Sequence, residues 1–112
     1  MTLIVSAHHF DGTRCCELPL ERDLAGFEKT RHTFYGSPWA VNLGLQVLPL
    51  LRNEDVFVSG DDLATLRLEV QTLLRAIGGR VDEQYWTERL TNISSAIDIA
   101  SRYGADGAVS IS

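Results

Sequence analysis

The chain has 112 residues, of which 45% are hydrophobic and 22% charged, values typical of one folded globular domain. Fifteen acidic residues against ten basic ones give a formal net charge of −5, which disfavours nucleic acid and anionic lipid as partners. No apolar run approaches the roughly 20 residues of a membrane-spanning helix, so we expect no membrane partner.

The charge is unevenly divided along the chain. Residues 1–53 hold five acidic and five basic side chains, whereas residues 54–112 hold ten acidic side chains and five arginines. An acidic surface of this kind permits a basic protein partner. The apolar start, residues 1–6, is too short for a signal peptide, and the adjacent Cys15 and Cys16 cannot easily form a disulfide. Both features predict a location in the cytoplasm, and the length predicts a single domain over residues 1–112.

The first predicted element is a β-hairpin. Asp11-Gly12 is a strong two-residue turn signal, and placing the turn there pairs His8 with Cys15. Alternation then assigns two faces. One face is apolar and predicted to be core: Leu3, Val5, Ala7, Cys16, Leu18 and Leu20. The other face is more polar: Ile4, Ser6, His8, Cys15 and Glu17.

The segment from residue 21 to residue 51 is harder to interpret. Residues 21–35 fit either a helix or a strand, and we favour a helix beginning at Asp23. Ser37-Pro38 predicts the start of a short helix. The stretch Trp39–Leu51 is apolar nearly all round, so it is either buried on both sides or part of a contact surface.

Two long helices follow a short strand at residues 56–58. The first runs from about Asp61 to Ile77, with Ser59 as its expected cap and Gly78-Gly79 at its end. Its apolar stripe is Leu63, Leu66, Val70, Leu73, Leu74 and Ile77. Glu69 lies near the edge of that stripe, where a salt bridge or a solvated position is the default.

The last helix starts at Asp82 and carries an unusually wide apolar face. Its predicted core stripe is Trp86, Leu90, Ile93, Ile97 and Ala100. Tyr85, Ala96, Ile99 and Tyr103 widen the apolar arc, so the helix should contact two different surfaces. Asp106-Gly107 is read as a turn into a final strand over residues 108–111.

These elements predict an α+β fold. A small antiparallel sheet, made of the N-terminal hairpin and the C-terminal strand, should pack against two long helices.

The pair His8 and Cys15 is the sharpest candidate for chemistry. An imidazole beside a thiol can promote a reactive thiolate, although two neighbouring side chains on a half-exposed strand are the commoner explanation. A metal site is disfavoured because alternating strand residues bring together only two ligands on each face. The sequence contains no phosphate-loop, dinucleotide or His-Glu-x-x-His motif, so we expect no metal and no cofactor.

Apolar side chains are the other candidates for a binding site. Trp39 and Leu43 belong to the largest apolar patch without an evident function, which is more often core than contact surface. Tyr85 and Tyr103 lie on the broad face of the last helix. Ligand, partner or dimer contact is the alternative for all four.

The middle of the chain resembles small bacterial proteins of the toxin-immunity type. The residues that carry this resemblance are Gly26-Phe27-Glu28, Gly36-Ser37, Leu43-Gly44, Pro49, Val56–Val58 and Leu66–Glu69. They are structural residue types within residues 24–75, and they transfer no catalytic residue. The resemblance implies a cytoplasmic protein that binds and blocks a partner.

The first hypothesis is therefore a non-catalytic protein-binding domain of bacterial type, which is not an enzyme. The second is a small-ligand-binding protein or a minor enzyme that uses the His8/Cys15 face or the Trp39 patch. A third is a homodimer formed through the Trp39 segment or the last helix.

Overall fold

The computed structural model describes residues 2–112, and its framework is one antiparallel sheet with helices on one side. The strands are β1 (Thr2–Asp11), β2 (Arg14–Leu18), β3 (Leu24–Phe27), β4 (Val56–Ser59) and β5 (Gly107–Ile111). They lie in the order β2-β1-β5-β4, and β3 pairs with the first residues of β1. The α-helices are α1 (Pro38–Asn42), α2 (Asp61–Ala76) and α3 (Glu83–Ser101). The predicted α+β class is confirmed.

The two faces of the sheet differ in character. The inner face carries the core side chains of the strands, all of them buried: Leu3, Val5, Ala7, Val56, Val58, Val109 and Ile111. Helix α3 packs across β1 and β5 on this face, and α2 packs against β4. The alternate residues form the outer face, which neither helix covers: Ile4, Ser6, His8, Phe10, Cys15, Glu17, Phe57, Ser59, Ala108 and Ser110.

The predicted hairpin exists, but its turn lies one residue further along the chain. Asp11 pairs with Arg14, which leaves Gly12 and Thr13 as the central residues of the turn. Gly12 has a φ of 64°, and no residue other than glycine has a positive φ in the described chain. A positive φ at the first central position alone is the pattern of a type II′ turn, whereas Asp11-Gly12 as a type I′ turn requires it at both.

The helix favoured for residues 21–35 is wrong over its first half. Residues 24–27 form β3, and a single π-helical turn follows over Arg31–Tyr35. Gly26 lies against Thr30 and Trp86, where an added Cβ would approach the Thr30 hydroxyl to 2.6 Å. Its φ of 144° is incompatible with a helix. The chain therefore extends here to reach the edge of β1.

Arg31 connects the π-helical turn by hydrogen bonds to the segments before and after it in the chain. Its guanidinium donates hydrogen bonds to the Glu28 and Asp55 carboxylates at 2.7 and 2.6 Å and to the carbonyl oxygens of Leu51 and Glu54. Partial burial alone would lower the pKa of Arg31, but the hydrogen bonds to Asp55 and Glu28 raise it above its usual range. The side chain is therefore charged and links β3, the turn and β4.

Most of the apolar Trp39–Leu51 stretch is core. Ala40, Leu45, Leu48 and Leu51 are buried, whereas Val41 and Leu50 are exposed. Residues Leu48–Arg52 form a 3-10 helix, and the backbone leading into it is held by Glu69 of α2. The sequence predicted that Glu69 forms a salt bridge or lies in solvent. In the structure it is only 6% exposed and forms no salt bridge with the described residues.

The Glu69 carboxylate accepts hydrogen bonds from three consecutive backbone N–H groups. Oε2 accepts from Gln46 at 2.7 Å and from Val47 at 2.9 Å, and Oε1 accepts from Leu48 at 2.9 Å. Gln46 and Val47 precede the 3-10 helix and Leu48 is its first residue, so these N–H groups have no acceptor within the helix. The carboxylate therefore caps the start of that 3-10 helix, as an N-cap side chain caps a longer helix.

The two long helices have the predicted core stripes. Leu63, Leu66, Val70 and Leu73 of α2 and Trp86, Leu90, Ile93, Ile97 and Ala100 of α3 are all buried. Ser59 does not cap α2, because Gly60 occupies the cap position and no side chain bonds there. Within residues 2–112, no helix combines the length and the apolarity needed to cross a bilayer.

The connection between α3 and β5 also differs from the prediction. The turn is a 3-10 helix over Gly104–Asp106, and Gly107 is already the first residue of β5. Gly107 lies directly against the Ala100 carbonyl group, so that a Cβ at this position would overlap the backbone of α3. Glycine is needed here for a close approach rather than for a turn.

Candidate functional site

An aromatic patch occupies the middle of the outer sheet face. The rings of His8 and Phe57 are 5.5 Å apart and those of Phe10 and Phe57 are 6.1 Å apart, between centroids. Phe57 is 52% exposed. Nε2 of His8 and the Ser110 hydroxyl oxygen are hydrogen-bonded at 2.9 Å. We call His8, Phe10, Phe57 and Ser110 the outer-face patch.

The predicted pairing of His8 with Cys15 is wrong, although both side chains lie on the outer face. His8 is opposite Glu17, and Cys15 is opposite Phe10. The later turn moves the partner of each β1 residue by two positions, which changes the pairs but not the faces. His8 is hydrogen-bonded to Ser110, and the exposed Cys15 lies diagonal to it. Nothing in this arrangement positions an imidazole to activate the thiol.

Acidic side chains flank the edge strand β4, which carries Phe57 of the outer-face patch. Residues 54–62, which contain the edge strand β4, include four acidic residues and no basic one: Glu54, Asp55, Asp61 and Asp62. All four are exposed. On the outer face itself Glu17 of the opposite edge strand is the one charged side chain among the described strand residues. We call Glu54, Asp55, Asp61 and Asp62 the acidic margin. Asp55 is paired with Arg31, whereas the other three make no ion pair with any of residues 2–112.

A second feature lies on the other side of the molecule, around the start of α3. Six aromatic side chains form an aromatic cluster: Phe27, Phe34, Tyr35, Trp39, Tyr85 and Trp86. Phe34 and Trp86 are stacked, with centroids 3.6 Å apart and planes at 7°. Tyr85 meets the edge of Trp86 at 5.1 Å, and Phe27 lies 6.5 Å from Tyr85.

A cleft of about 410 Å³ opens between these rings and two cationic side chains. Its walls include Phe27, Phe34, Tyr85 and Trp86, and Lys29 and Arg80 lie at its margin. We call it the aromatic cleft.

Arg80 is held in place by two kinds of contact. Its guanidinium lies 4.7 Å from the centroid of Trp39 and 5.7 Å from that of Phe34. Nε and Nη2 donate to the two carboxylate oxygens of Asp82 at 2.9 and 3.0 Å. The hydrogen bond from Arg80 lowers the pKa of Asp82 below its usual range, so the carboxylate is ionised at neutral pH.

Two phenol groups and a guanidinium lie beneath β3. The Tyr35 hydroxyl donates to the Ala25 carbonyl oxygen at 2.6 Å, and the Tyr35 side chain is fully buried. Arg89 lies 4.0 Å above the ring of Tyr85, whose buried hydroxyl makes no hydrogen bond within the described chain. Burial raises the pKa of Tyr35 far above its usual range, and the nearby Tyr85 adds to this while Arg89 opposes it.

This burial of Tyr35 predicts a loss of stability in alkali. An unfolded tyrosine ionises near pH 10, whereas the folded Tyr35 keeps its proton, so its contribution is complete below about pH 10 and is lost as the pH rises further. We expect wild type to lose up to about 1.4 kcal/mol per pH unit more than Tyr35→Phe above that pH. Urea denaturation from about pH 8 to about pH 11 measures this, with the exposed Tyr103→Phe as control. Parallel losses in wild type and Tyr35→Phe would contradict the assignment.

The structure separates the predicted site residues into four places. Trp39 and Tyr85 both belong to the aromatic cluster, whereas Leu43 lies behind α1 and is partly buried against the core. Tyr103 is 43% exposed and stacks on His9 at 4.5 Å, on the inner side of the sheet. His8 and Cys15 remain on the outer face. No single site unites the six residues.

Sequence analysis missed the charged residues that matter most in the structure. Arg31 and Arg80 were not assigned roles, Glu69 was assigned the wrong one, and Lys29 was not recognised at the margin of a cleft. One signal was available for Glu69, because its spacing from Leu66 and Leu73 places it inside the apolar stripe of α2. For Arg31 and Arg80 the deciding contacts, with Asp55 and Trp39, join distant segments of the chain. Among residues 2–112, no three histidine, cysteine, aspartate or glutamate side chains converge as a possible metal-ligand set.

Comparisons with known proteins place the chain in no family. No family model, no curated protein and no solved structure matches it. Any functional inference therefore depends on the two surfaces described above.

Proposed function

We propose that the chain is a non-catalytic protein-binding domain that docks a basic protein on its outer sheet face. The observation that carries this proposal is the outer-face patch. Phe57 and its aromatic neighbours lie on a face that neither long helix covers. Exposed aromatic side chains in a group are typical of the central part of a protein interface.

The outer sheet face is too small to form a stable interface alone, which indicates that the acidic margin also contacts the partner. Four strands about 4.8 Å apart and about five residues long present roughly 300 Å² in projection. A stable interface buries about 800 Å² on each partner, so contacts must extend beyond the sheet. The partner then meets the acidic margin beside β4.

Charge selects the chemistry of the partner. An apolar centre with a polar border is the usual anatomy of an interface, and this border carries four acidic side chains, of which Asp55 alone is paired with a cation, Arg31. A partner with an apolar surface flanked by lysine and arginine complements both parts. A second copy of this chain would bring like charges together at the margin. The proposed role agrees with the implied toxin-immunity type, in which a bacterial cytoplasmic protein binds and blocks its partner.

Selection of peptides against the protein tests the proposal without a known partner. Random peptides displayed on phage are selected on wild type, and the selected peptides are synthesised and titrated by calorimetry. We expect them to combine an apolar centre with flanking lysine or arginine, and to bind more weakly as salt increases. Selected peptides without basic residues, or with affinity independent of salt, would contradict the proposed chemistry.

Matched variants then locate the binding surface. Phe57→Ala should lower the affinity of the selected peptides at least tenfold, because an aromatic side chain at an interface centre contributes strongly. Leu68→Ala removes another exposed apolar side chain, 63% exposed on α2, and should leave the affinity unchanged. Glu54→Gln should weaken binding a few-fold through the acidic margin. Equal affinity of the Phe57 and Leu68 variants would place the interface elsewhere.

Self-association is the competing occupant of the same face. If sedimentation velocity shows a dimer that dissociates in Phe57→Ala but not in Leu68→Ala, the outer face binds a second copy and the basic-partner proposal is wrong. A protein that remains monomeric at high concentration supports the proposed repulsion at the acidic margin.

A further inference from the structure

We propose that the aromatic cleft is a binding site for a small planar aromatic compound carrying one negative charge, such as an aromatic carboxylate. The cleft lies around the start of α3, apart from the outer-face patch, and its proposed role is independent of protein docking. Its volume of about 410 Å³ is within the usual range for small-molecule sites.

The walls of the cleft present aromatic surface to a ligand. Phe27 is 42% exposed, and it lies parallel to Tyr85 within 19°. A planar ring can lie against Phe27 and Tyr85 while its edge faces Trp86, in the geometry that aromatic rings prefer. A ligand without a ring would leave these exposed surfaces in contact with water.

The local backbone holds the cleft open in one conformation. The Thr30 hydroxyl accepts a hydrogen bond from the backbone N–H of Phe27 at 3.1 Å and donates one to its carbonyl oxygen. Behind Phe27, Gly26 fits so closely against Thr30 and Trp86 that a Cβ would be obstructed. Such a preformed wall lowers the conformational cost of binding.

The charge at the margin determines the sign of the ligand. Lys29 is the only lysine of the chain, it is exposed, and it makes no ion pair with any of residues 2–112. Arg80 uses Nε and Nη2 for Asp82, which leaves Nη1 free to donate. Lys29, Arg80 and Asp82 together give one net positive charge in a chain of net charge −5. A monoanion neutralises this excess.

Three naphthalene derivatives of similar size separate charge from apolar contact. Naphthoate, naphthylmethanol and naphthylmethylammonium are titrated into ¹⁵N-labelled protein, and chemical-shift changes are followed by NMR. We expect naphthoate to bind about fivefold more tightly than the alcohol and the ammonium compound to bind most weakly. The largest shifts should occur at the Trp86 indole N–H and the Phe27 amide. Equal affinities for acid and alcohol would overturn the proposed ligand class.

Variants test the assignment of the site. Lys29→Ala should weaken naphthoate binding about threefold to fivefold and leave naphthylmethanol binding unchanged. Arg102→Ala is the matched control, because Arg102 is an exposed cation at the far end of α3, about 30 Å along the helix. Equal effects of the two variants would show attraction by the overall charge and not a site.

Two variants distinguish ligand binding in the aromatic cleft from protein binding on the outer sheet face. Phe57→Ala should leave naphthoate binding unchanged, whereas Phe27→Ala should weaken the binding of both naphthoate and naphthylmethanol. Ligand-induced shifts confined to the outer-face patch would overturn the proposal for the aromatic cleft.

Discussion

Replacing Glu69 by alanine is expected to destabilise the fold by about 4 kcal/mol. The change leaves three backbone N–H groups, those of Gln46, Val47 and Leu48, without their acceptor. Each unsatisfied buried donor costs about 1 to 3 kcal/mol, and losses within one network are not fully additive. Because typical domains are stable by about 5–15 kcal/mol, the loss removes a large share of the total.

Urea denaturation at neutral pH measures this effect, and two further variants make it specific. Glu69→Gln keeps the shape and one acceptor oxygen but turns an N–H₂ group toward a backbone donor, so we expect an intermediate loss of about 2 to 3 kcal/mol. Glu21→Ala removes an exposed carboxylate that makes no ion pair with any of residues 2–112, and it should change stability by less than about 0.5 kcal/mol. A Glu69→Ala protein within about 1 kcal/mol of wild type would show that water replaces the carboxylate.

Gly107→Ala is expected to cost at least about 3 kcal/mol or to prevent folding. An added Cβ would lie 2.7 Å from the carbonyl carbon of Ala100 and would overlap its oxygen. The obstructing group is buried backbone near the end of α3, so no rotation of a side chain relieves the overlap. Either β5 must move away from α3 or the end of α3 must unwind.

The adjacent glycines of the chain supply the control. Gly78→Ala places a Cβ 3.4 Å from the Arg75 carbonyl oxygen, and Gly78 does not have a positive φ. We expect this variant to be as stable as wild type or slightly more stable, since alanine reduces the freedom of the unfolded chain. Circular dichroism and urea denaturation compare the two variants. Equal stability of Gly107→Ala and Gly78→Ala would mean that β5 and α3 are less closely packed than described.

The sheet was predictable wherever the alternation of residues decides the outcome. Leu3, Val5 and Ala7 point inward because a strand alternates with a period of two, and this result survives a shift of the pairing by two residues. For the same reason the alternation could not detect that the turn begins at Gly12. The assignment of His8 and Cys15 to one face was therefore right, while their pairing was wrong.

The candidate sites were only partly predictable, because their geometry depends on contacts between distant segments. Trp39 and Tyr85 were both named from the sequence, but their membership of one cluster depends on Phe34 and Trp86 stacking between them. Glu69 accepts hydrogen bonds from residues more than twenty positions earlier, and no local pattern in residues 46–48 indicates that a carboxylate binds there. Local propensity cannot encode such pairings.

The position of β5 has a consequence for how the chain folds during synthesis. This strand pairs with β1 on one side and with β4 on the other, and its contact between Ser110 and His8 joins positions 102 residues apart. Until residues 107–111 have left the ribosome, β1 and β4 each have an edge without a partner. Pairings across such long separations form slowly. During that interval the exposed edges of β1 and β4 make the nascent chain prone to aggregate.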